Sequence, residues 1–456
     1  MTEIFCENAL LPEGWARHVT IRTAADGSIA AILPDSDPAP EADRLAWVIP
    51  GLPNLHSHAF QRGMAGLSER RITGRDSFWS WREVMYGFND HLSPDDIEAI
   101  AALTYCEMLE TGFTRVAEFH YLHHDVDGSP YSDIAEHAGR ICAASRETGI
   151  ELTLLPVFYR WAGFGEQPAS HGQRRFFNDP DRYAALHHAT RKHTDTTPGA
   201  ILGIAPHSLR AAAMADLDTI LPLAGDGPVH IHIAEQVKEV EDCLAATGAR
   251  PVEHLFANQD VDARWCLVHA THMTGAETTA LARSGAVAGL CPLTEANLGD
   301  GLFPAVEFLA EGGRFGVGSD SHIRIDLPEE LRLLEYGQRL TGLGRNMLGD
   351  GQRSTGRFLF ETALDGGAQA CGVKHSGLRE GASADLVALD ADAPALVGRS
   401  DDTLLDSWIF AGDGRQVETV YVSGKKVVAN GRSTARDRVE KAYASTMRRL
   451  AEKIGA

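Results

Sequence analysis

The stretch Gly51-Leu52-Pro53-Asn54-Leu55-His56-Ser57-His58 is an apolar run that closes on two histidines one residue apart. On an extended strand, side chains at i and i+2 share a face, so His56 and His58 can grip one cation together. Taken alone, an alternating pair also occurs by chance on surfaces. Three later runs change its weight: Val229-His230-Ile231-His232-Ile233-Ala234-Glu235, Cys266-Leu267-Val268-His269 and Gly316-Val317-Gly318-Ser319-Asp320. Each ends in a residue fit for a divalent metal site. Strand ends offering His, His, His and Asp point to a metal-dependent hydrolase.

Working outward, eight short apolar runs separated by helix-like segments fill the chain from about residue 47 to about 322. They are Trp47–Leu55, Thr114–Tyr121, Glu151–Arg160, Ala200–Pro206, Pro228–Ala234, Trp265–Ala270, Ala286–Cys291 and Arg314–Asp320. Near-continuous apolar strands alternating with helices mean a parallel sheet, and eight of them predict an α/β fold of the closed (β/α)8 TIM-like barrel type. Ser93-Pro94 is an N-cap with proline at the first helical position, Gly112 suits the stop before the second strand, and Thr274 with Glu277 makes a capping-box pattern. The stretch Gln61 to His91, with Trp79, Trp81 and Phe88, is too long for a simple connection and predicts an elaborated loop over the barrel mouth.

The flanks read differently. Residues 1–46 and 376–456 hold short alternating segments and turns, such as Asp385-Leu386-Val387-Ala388-Leu389 and Val417–Val422 followed by Gly424-Lys425-Lys426-Val427-Val428. They predict a small β-sandwich domain built from both chain ends around a catalytic barrel at 47–375, with a terminal helix from about Ala435 to Lys453.

A chain of 456 residues suits a large barrel with an appended unit. The formal net charge of −21 argues against nucleic acid and requires a local cationic pocket for any anionic substrate. The start, Met1-Thr2-Glu3-Ile4-Phe5-Cys6, has no signal-peptide pattern, and no run is long enough to span a bilayer. Seven scattered cysteines without a Cys-x-x-Cys read as buried hydrophobes in a reduced, cytoplasmic protein.

In such barrels the C-terminal strand ends carry the active site. Imidazoles with one carboxylate and an open position describe a catalytic centre, and zinc there would lower the pKa of bound water to about 7. Glu235, three residues past His232, can reach such a water as a proton shuttle; the bland reading is an exposed Glu opening a helix. His269 either binds the metal or orients and deprotonates water, against the commoner fate of a satisfied core histidine. No lysine occurs in Ala200–Pro206 to bridge a second metal, so one ion is expected. Gln61, Tyr121 and His207 lie near the mouth. Arg82 and Arg210 could clamp two carboxylates through paired hydrogen bonds, although singly each reads as a surface residue. His123 and His124, which cluster with His120 after the second strand, read as solvated loop.

The segments Pro53–Arg62, Trp81-Arg82-Glu83-Val84-Met85-Tyr86 and Cys291–Gly301 resemble the amidohydrolase superfamily, and within it the formimidoylglutamate deiminases of bacterial histidine degradation. The resemblance implies that His56, His58, His232 and Asp320 bind one divalent ion, most simply Zn2+. It implies catalytic roles for Glu235 and His269, and substrate contacts from Gln61, Arg82, Tyr121, His207 and Arg210. The implied reaction is attack of metal-bound hydroxide on a formimino carbon of a small dicarboxylate. His269 would assist deprotonation, and Glu235 would protonate the departing nitrogen. A homodimer is expected for this fold, with no nucleic-acid or membrane partner. The rival readings are an aromatic-base deaminase (guanine, cytosine or adenosine-type) on the same scaffold, and a non-catalytic structural paralogue.

Overall fold

The computed structural model describes residues 2–69 and 78–454. The barrel strands are Leu52–Ser57, Phe113–His120, Glu151–Phe158, the pieces Ile201–Leu202 and Ala205–Pro206, Val229–Ile233, Trp265–His269, Val287–Leu290 and Arg314–Val317. All pair in parallel, the first four positions as one arc and the last four as another. Parallel bridges Ile204–Val229 and Ser208–His232 join the fourth position to the fifth, and Ser57–Asp320 joins the first to the eighth. The arcs therefore meet at both seams. The second and third strands are buried at every position, as expected for strands covered on both faces.

Three strand boundaries differ from the sequence reading. The run Trp47–Leu55 is two strands: Asp43–Pro50 pairs with Glu3–Leu11 and Leu386–Leu389 in the small sheet, and the barrel begins at Leu52. A Cβ on Gly51 would lie 2.2 Å from Thr114 Cγ2, so only glycine lets the chain pass between the sheets here. The fourth strand breaks at Gly203, where a Cβ would meet the Pro228 carbonyl at 2.4 Å. The eighth ends at Val317, leaving Asp320 beyond it in the isolated parallel bridge to Ser57.

The helix signals hold. Ser93 and Asp96 form a reciprocal capping box ahead of Pro94–Leu109, Gly112 adopts φ 100°, and Thr274 with Glu277 caps Gly275–Ser284. Within the stretch Gln61 to His91, a short 3-10 helix covers Ala59–Met64 and an α-helix covers Phe78–Asn89; residues 70–77 of that expected loop lie outside the described residues.

The two chain ends build one continuous eight-stranded sheet. A buried joint ties it to the barrel floor: Glu151 pairs with Arg115 and accepts the Ser383 hydroxyl at 3.0 Å and the Ser423 hydroxyl at 2.5 Å. The terminal helix, Arg436–Ile454, packs back on the barrel, where Thr446 and Arg449 both meet Asp96. Among the described residues no helix is long and apolar enough to cross a membrane.

Candidate active site

The first strand carries His56 and His58 to the barrel mouth, and the fifth delivers His232. Their Nε2 atoms converge: His56 lies 3.1 Å from His58 and 3.0 Å from His232. Asp320 Oδ1 sits 3.4 Å from His56 Nε2 and 3.3 Å from His58 Nε2. Two of these rings have a fixed tautomer. His58 Nδ1 is 2.9 Å from the Phe119 carbonyl and His232 Nδ1 is 3.1 Å from the His207 carbonyl. A carbonyl only accepts, so each Nδ1 carries the proton and each Nε2 presents a bare lone pair. Burial also pushes the His56 pKa down to about 3, which removes a shared proton as the glue. Lone pairs aimed at one point repel unless a cation lies between them. The donor set, three imidazoles and one carboxylate with all four residues buried, fits a divalent metal.

The backbone around this centre is bent into left-handed conformations that non-glycine residues rarely adopt. Ala234 has φ 52°, His269 68°, Ala270 48°, Asp320 46° and His322 56°. Each costs on the order of 1–3 kcal/mol and persists because the surroundings enforce it. Asp320 N–H donates to the His56 carbonyl and His58 N–H to the Asp320 carbonyl, both at 3.0 Å. Glu239, fully buried, accepts the Ala234 and Glu235 amides at 3.3 and 3.2 Å.

Glu235 and His269 stand beside the four donors. His269 Nε2 is 3.9 Å from both Glu235 Oε1 and Asp320 Oδ2, and its ring is not one of the converging four. Burial pushes the Glu235 pKa up to about 7, with neighbouring Asp320 adding and His269 and Arg210 opposing. Burial works against a charge on His269, but Glu235, Glu295 and Asp320 outweigh it and push its pKa up to about 10. For Asp320 burial is likewise outweighed, here by the His56 contact and the surrounding rings, so its carboxyl stays well below the usual range.

Gln61, Arg82, Tyr121, His207 and Arg210 all line the cavity that opens above these groups. Gln61 Nε2 donates to Tyr121 Oη at 2.7 Å, while its Oε1 has no partner among the described residues. Arg82 is stacked near Trp79 and Tyr86, its guanidinium carbon 4.7 and 5.6 Å from the ring centroids. Buried Arg82 Nε, Arg210 Nε and Arg210 Nη2 have no hydrogen-bond partner among the described residues. The charge of Arg210 is balanced at 3.9 Å by Glu235 and Glu239. Unpaired buried guanidinium N–H groups are costly, and an anionic ligand would satisfy them.

Two corrections follow. His123 and His124 are not solvated loop: both are buried, with both amides bonded to the Arg175 carbonyl and their rings to Val157, Phe177 and Asn178. The segment after the third strand folds across them, a long-range contact with no local sequence signal. The sequence reading also passed over Glu118 and Glu239, and gave Glu295 no role within the segment Cys291–Gly301. Glu118 left one trace, a charge inside the apolar strand Val116-Ala117-Glu118-Phe119.

A parallel barrel with three histidines and an aspartate at its strand ends defines a class, and the chain belongs to the amidohydrolase family, whose sequence model matches residues 47–427. Residues 1–46 match the model described as formimidoylglutamate deiminase HutF, N-terminal domain. The chain is 54% identical to formimidoylglutamate deiminase of Pseudomonas aeruginosa, over 99% of this chain and 100% of that protein. A 5-methylthioadenosine/S-adenosylhomocysteine deaminase of Natronomonas pharaonis is 27% identical over 90% and 89% of the two chains. Among solved structures, an amidohydrolase from Brucella melitensis superposes with a TM-score of 0.95 at 52% identity, covering 99% and 100%. An adenosine deaminase from Xanthomonas campestris with bound zinc shares the fold, with a TM-score of 0.82 at 22% identity over 99% and 98%.

Proposed function

We propose that this protein hydrolyses N-formimino-L-glutamate to N-formyl-L-glutamate and ammonia, as a step of histidine degradation. The observation that carries this reading is the pair Arg82 and Arg210: buried Arg82 Nε, Arg210 Nε and Arg210 Nη2 lack hydrogen-bond partners among the described residues, and both side chains line the same cavity as His58, His232 and Asp320. The substrate has two carboxylates for two arginines and a single amidine-like carbon for the catalytic centre. The match to the Pseudomonas aeruginosa deiminase over nearly the whole chain supports the same reaction.

His56, His58, His232 and Asp320 would hold one divalent ion, which we take to be zinc, and such an ion activates water at neutral pH. Arg82 and Arg210 bind the carboxylates, and Gln61, Tyr121 and His207 shape the space between them and the reacting carbon. Water adds to the formimino carbon through a new C–O bond. Glu235 takes the water proton and passes it to the terminal nitrogen. Collapse of the adduct breaks the bond to that nitrogen; the hydroxyl proton follows it, and ammonia leaves. Burial raises the pKa of Glu235 above the ordinary carboxyl range, which suits it to accept and return a proton in this shuttle. His269, with Nε2 facing the gap between Glu235 and Asp320, orients the attacking water.

The deciding experiment is ammonia release by the zinc-loaded protein from N-formimino-L-glutamate, with guanine, cytosine and adenosine alongside. Release from the first alone supports the proposal. Turnover of a base in its place would overturn the substrate assignment and leave an aromatic-base deaminase.

A further inference from the structure

We infer that Glu295 is a positioning residue for His269, locking its ring so that Nε2 faces the reacting water. The inference rests on the catalytic reading of His269 given above.

The geometry has three parts. First, Glu295 Oε1 lies 3.2 Å from His269 Nδ1, and both side chains are buried. A carboxylate without a proton only accepts, so Nδ1 carries the hydrogen and the opposite nitrogen is the one turned to the cavity. Second, Glu295 is itself immobilised. The same Oε1 accepts the Cys291 amide at 2.9 Å, and the Glu295 amide donates to the Cys291 carbonyl at 2.9 Å. These bonds hold the Glu295 side chain against the N-cap of its own helix, Pro292–Leu298, and fix the direction in which its carboxylate points. Third, His269 needs such an anchor. Its backbone sits at φ 68°, at the last residue of its strand; the ladder to Ile233 fixes the main chain there but not the rotation of the ring.

The remaining neighbours of His269 do not replace this contact. Glu235 and Asp320 both approach Nε2, each at 3.9 Å, beyond hydrogen-bond range. His232 stacks on the ring at a centroid distance of 5.5 Å and an interplanar angle of 11°, which fixes the plane but not rotation within it. Only the bond at Nδ1 decides which nitrogen faces the water. A carboxylate behind a catalytic imidazole fixes the direction of the ring, and losing such a partner costs from about 10-fold to about 10,000-fold.

The test uses the metal-loaded full-length protein with selectively 15N-labelled histidine. In the wild type, the His269 signal, identified by its absence in His269→Asn, is expected to show a bound, exchange-protected proton on Nδ1. In Glu295→Gln that signal should lose its carboxylate-bonded downfield position, with kcat falling about 10- to 100-fold while KM stays within about twofold. Glu295→Asp, which keeps the charge, should recover part of kcat. A wild-type His269 with no proton on Nδ1 would overturn the inference without any variant having to fold. So would a Glu295→Gln enzyme of unchanged kcat. Should the wild type release no ammonia from N-formimino-L-glutamate while the Nδ1 proton is present, the substrate assignment fails and the positioning contact stands.

Discussion

Ser57 Oγ donates to Glu118 Oε2 at 2.6 Å, placing a buried carboxylate directly behind the residue that separates His56 from His58. Glu118 also accepts the Ala59 amide at 2.8 Å and the Tyr105 hydroxyl at 3.1 Å, so one side chain of the second strand braces the turn that carries both histidines. Burial pushes its pKa up to about 7, opposed by these three donors. Outer partners that orient ligands matter almost as much as the ligands. Glu118→Gln should weaken metal affinity roughly 10- to 100-fold, read by competition with a metallochromic chelator. Unchanged affinity would mean that the strand alone sets the histidine geometry.

The two arginines should act on substrate binding rather than on the metal. Replacing either Arg82 or Arg210 with methionine removes charge-assisted hydrogen bonds worth about 1.5–3 kcal/mol, which predicts a loss of roughly 10- to 100-fold in kcat/KM. Metal content, measured by atomic emission, should stay at the wild-type level. Wild-type kcat/KM in both variants would remove the case for a dicarboxylate.

Glu235→Gln keeps the shape of the side chain and removes its ability to carry a proton. Loss of a general acid–base group predicts a fall in kcat of about 100- to 10,000-fold, with KM changed far less. The test is steady-state ammonia release near pH 7. A kcat within a few-fold of wild type would move the proton transfers elsewhere.

Acid should destabilise the folded chain through buried histidines outside the four converging donors. Burial lowers the pKa of His120 to about 3, of His137 to about 3 and of His124 to about 4. In the unfolded chain each takes a proton near its ordinary value, about 6.5. From about pH 6.5 down to the folded values the unfolded state therefore binds more protons, and stability falls as pH falls. The limiting slope is about 1.4 kcal/mol per pH unit for each such histidine. Urea unfolding of the metal-free protein at pH 7.0 and 5.5 checks this. His137→Gln should show a smaller difference between the two pH values, and an equal difference would assign the acid sensitivity to other groups.

The primary structure alone carried the barrel, because eight buried parallel strands must be apolar on both faces and alternate with capped helices. It also carried the residues that converge at the barrel mouth. His56 and His58 are fixed by a two-residue period, while His232 and His269 announce themselves at the ends of apolar runs. Asp320 was legible by the same rule, although its strand ends three residues earlier at Val317.

What only the tertiary structure decided are contacts between residues distant in the chain. The run Trp47–Leu55 is apolar on both sides of Gly51, so its division there between two sheets depends on Thr114 crowding that point. Buried His123 and His124 depend on a segment some fifty residues downstream folding across them. Arg82 enters the cavity because a helix absent from a simple barrel stands over the mouth, and Glu118 and Glu295 gain meaning only where they meet Ser57 and His269. Periodicity reports which face of an element is buried; it carries no information about which other element will bury it. The four converging donors follow from the first kind of information, and the contacts that aim them follow from the second.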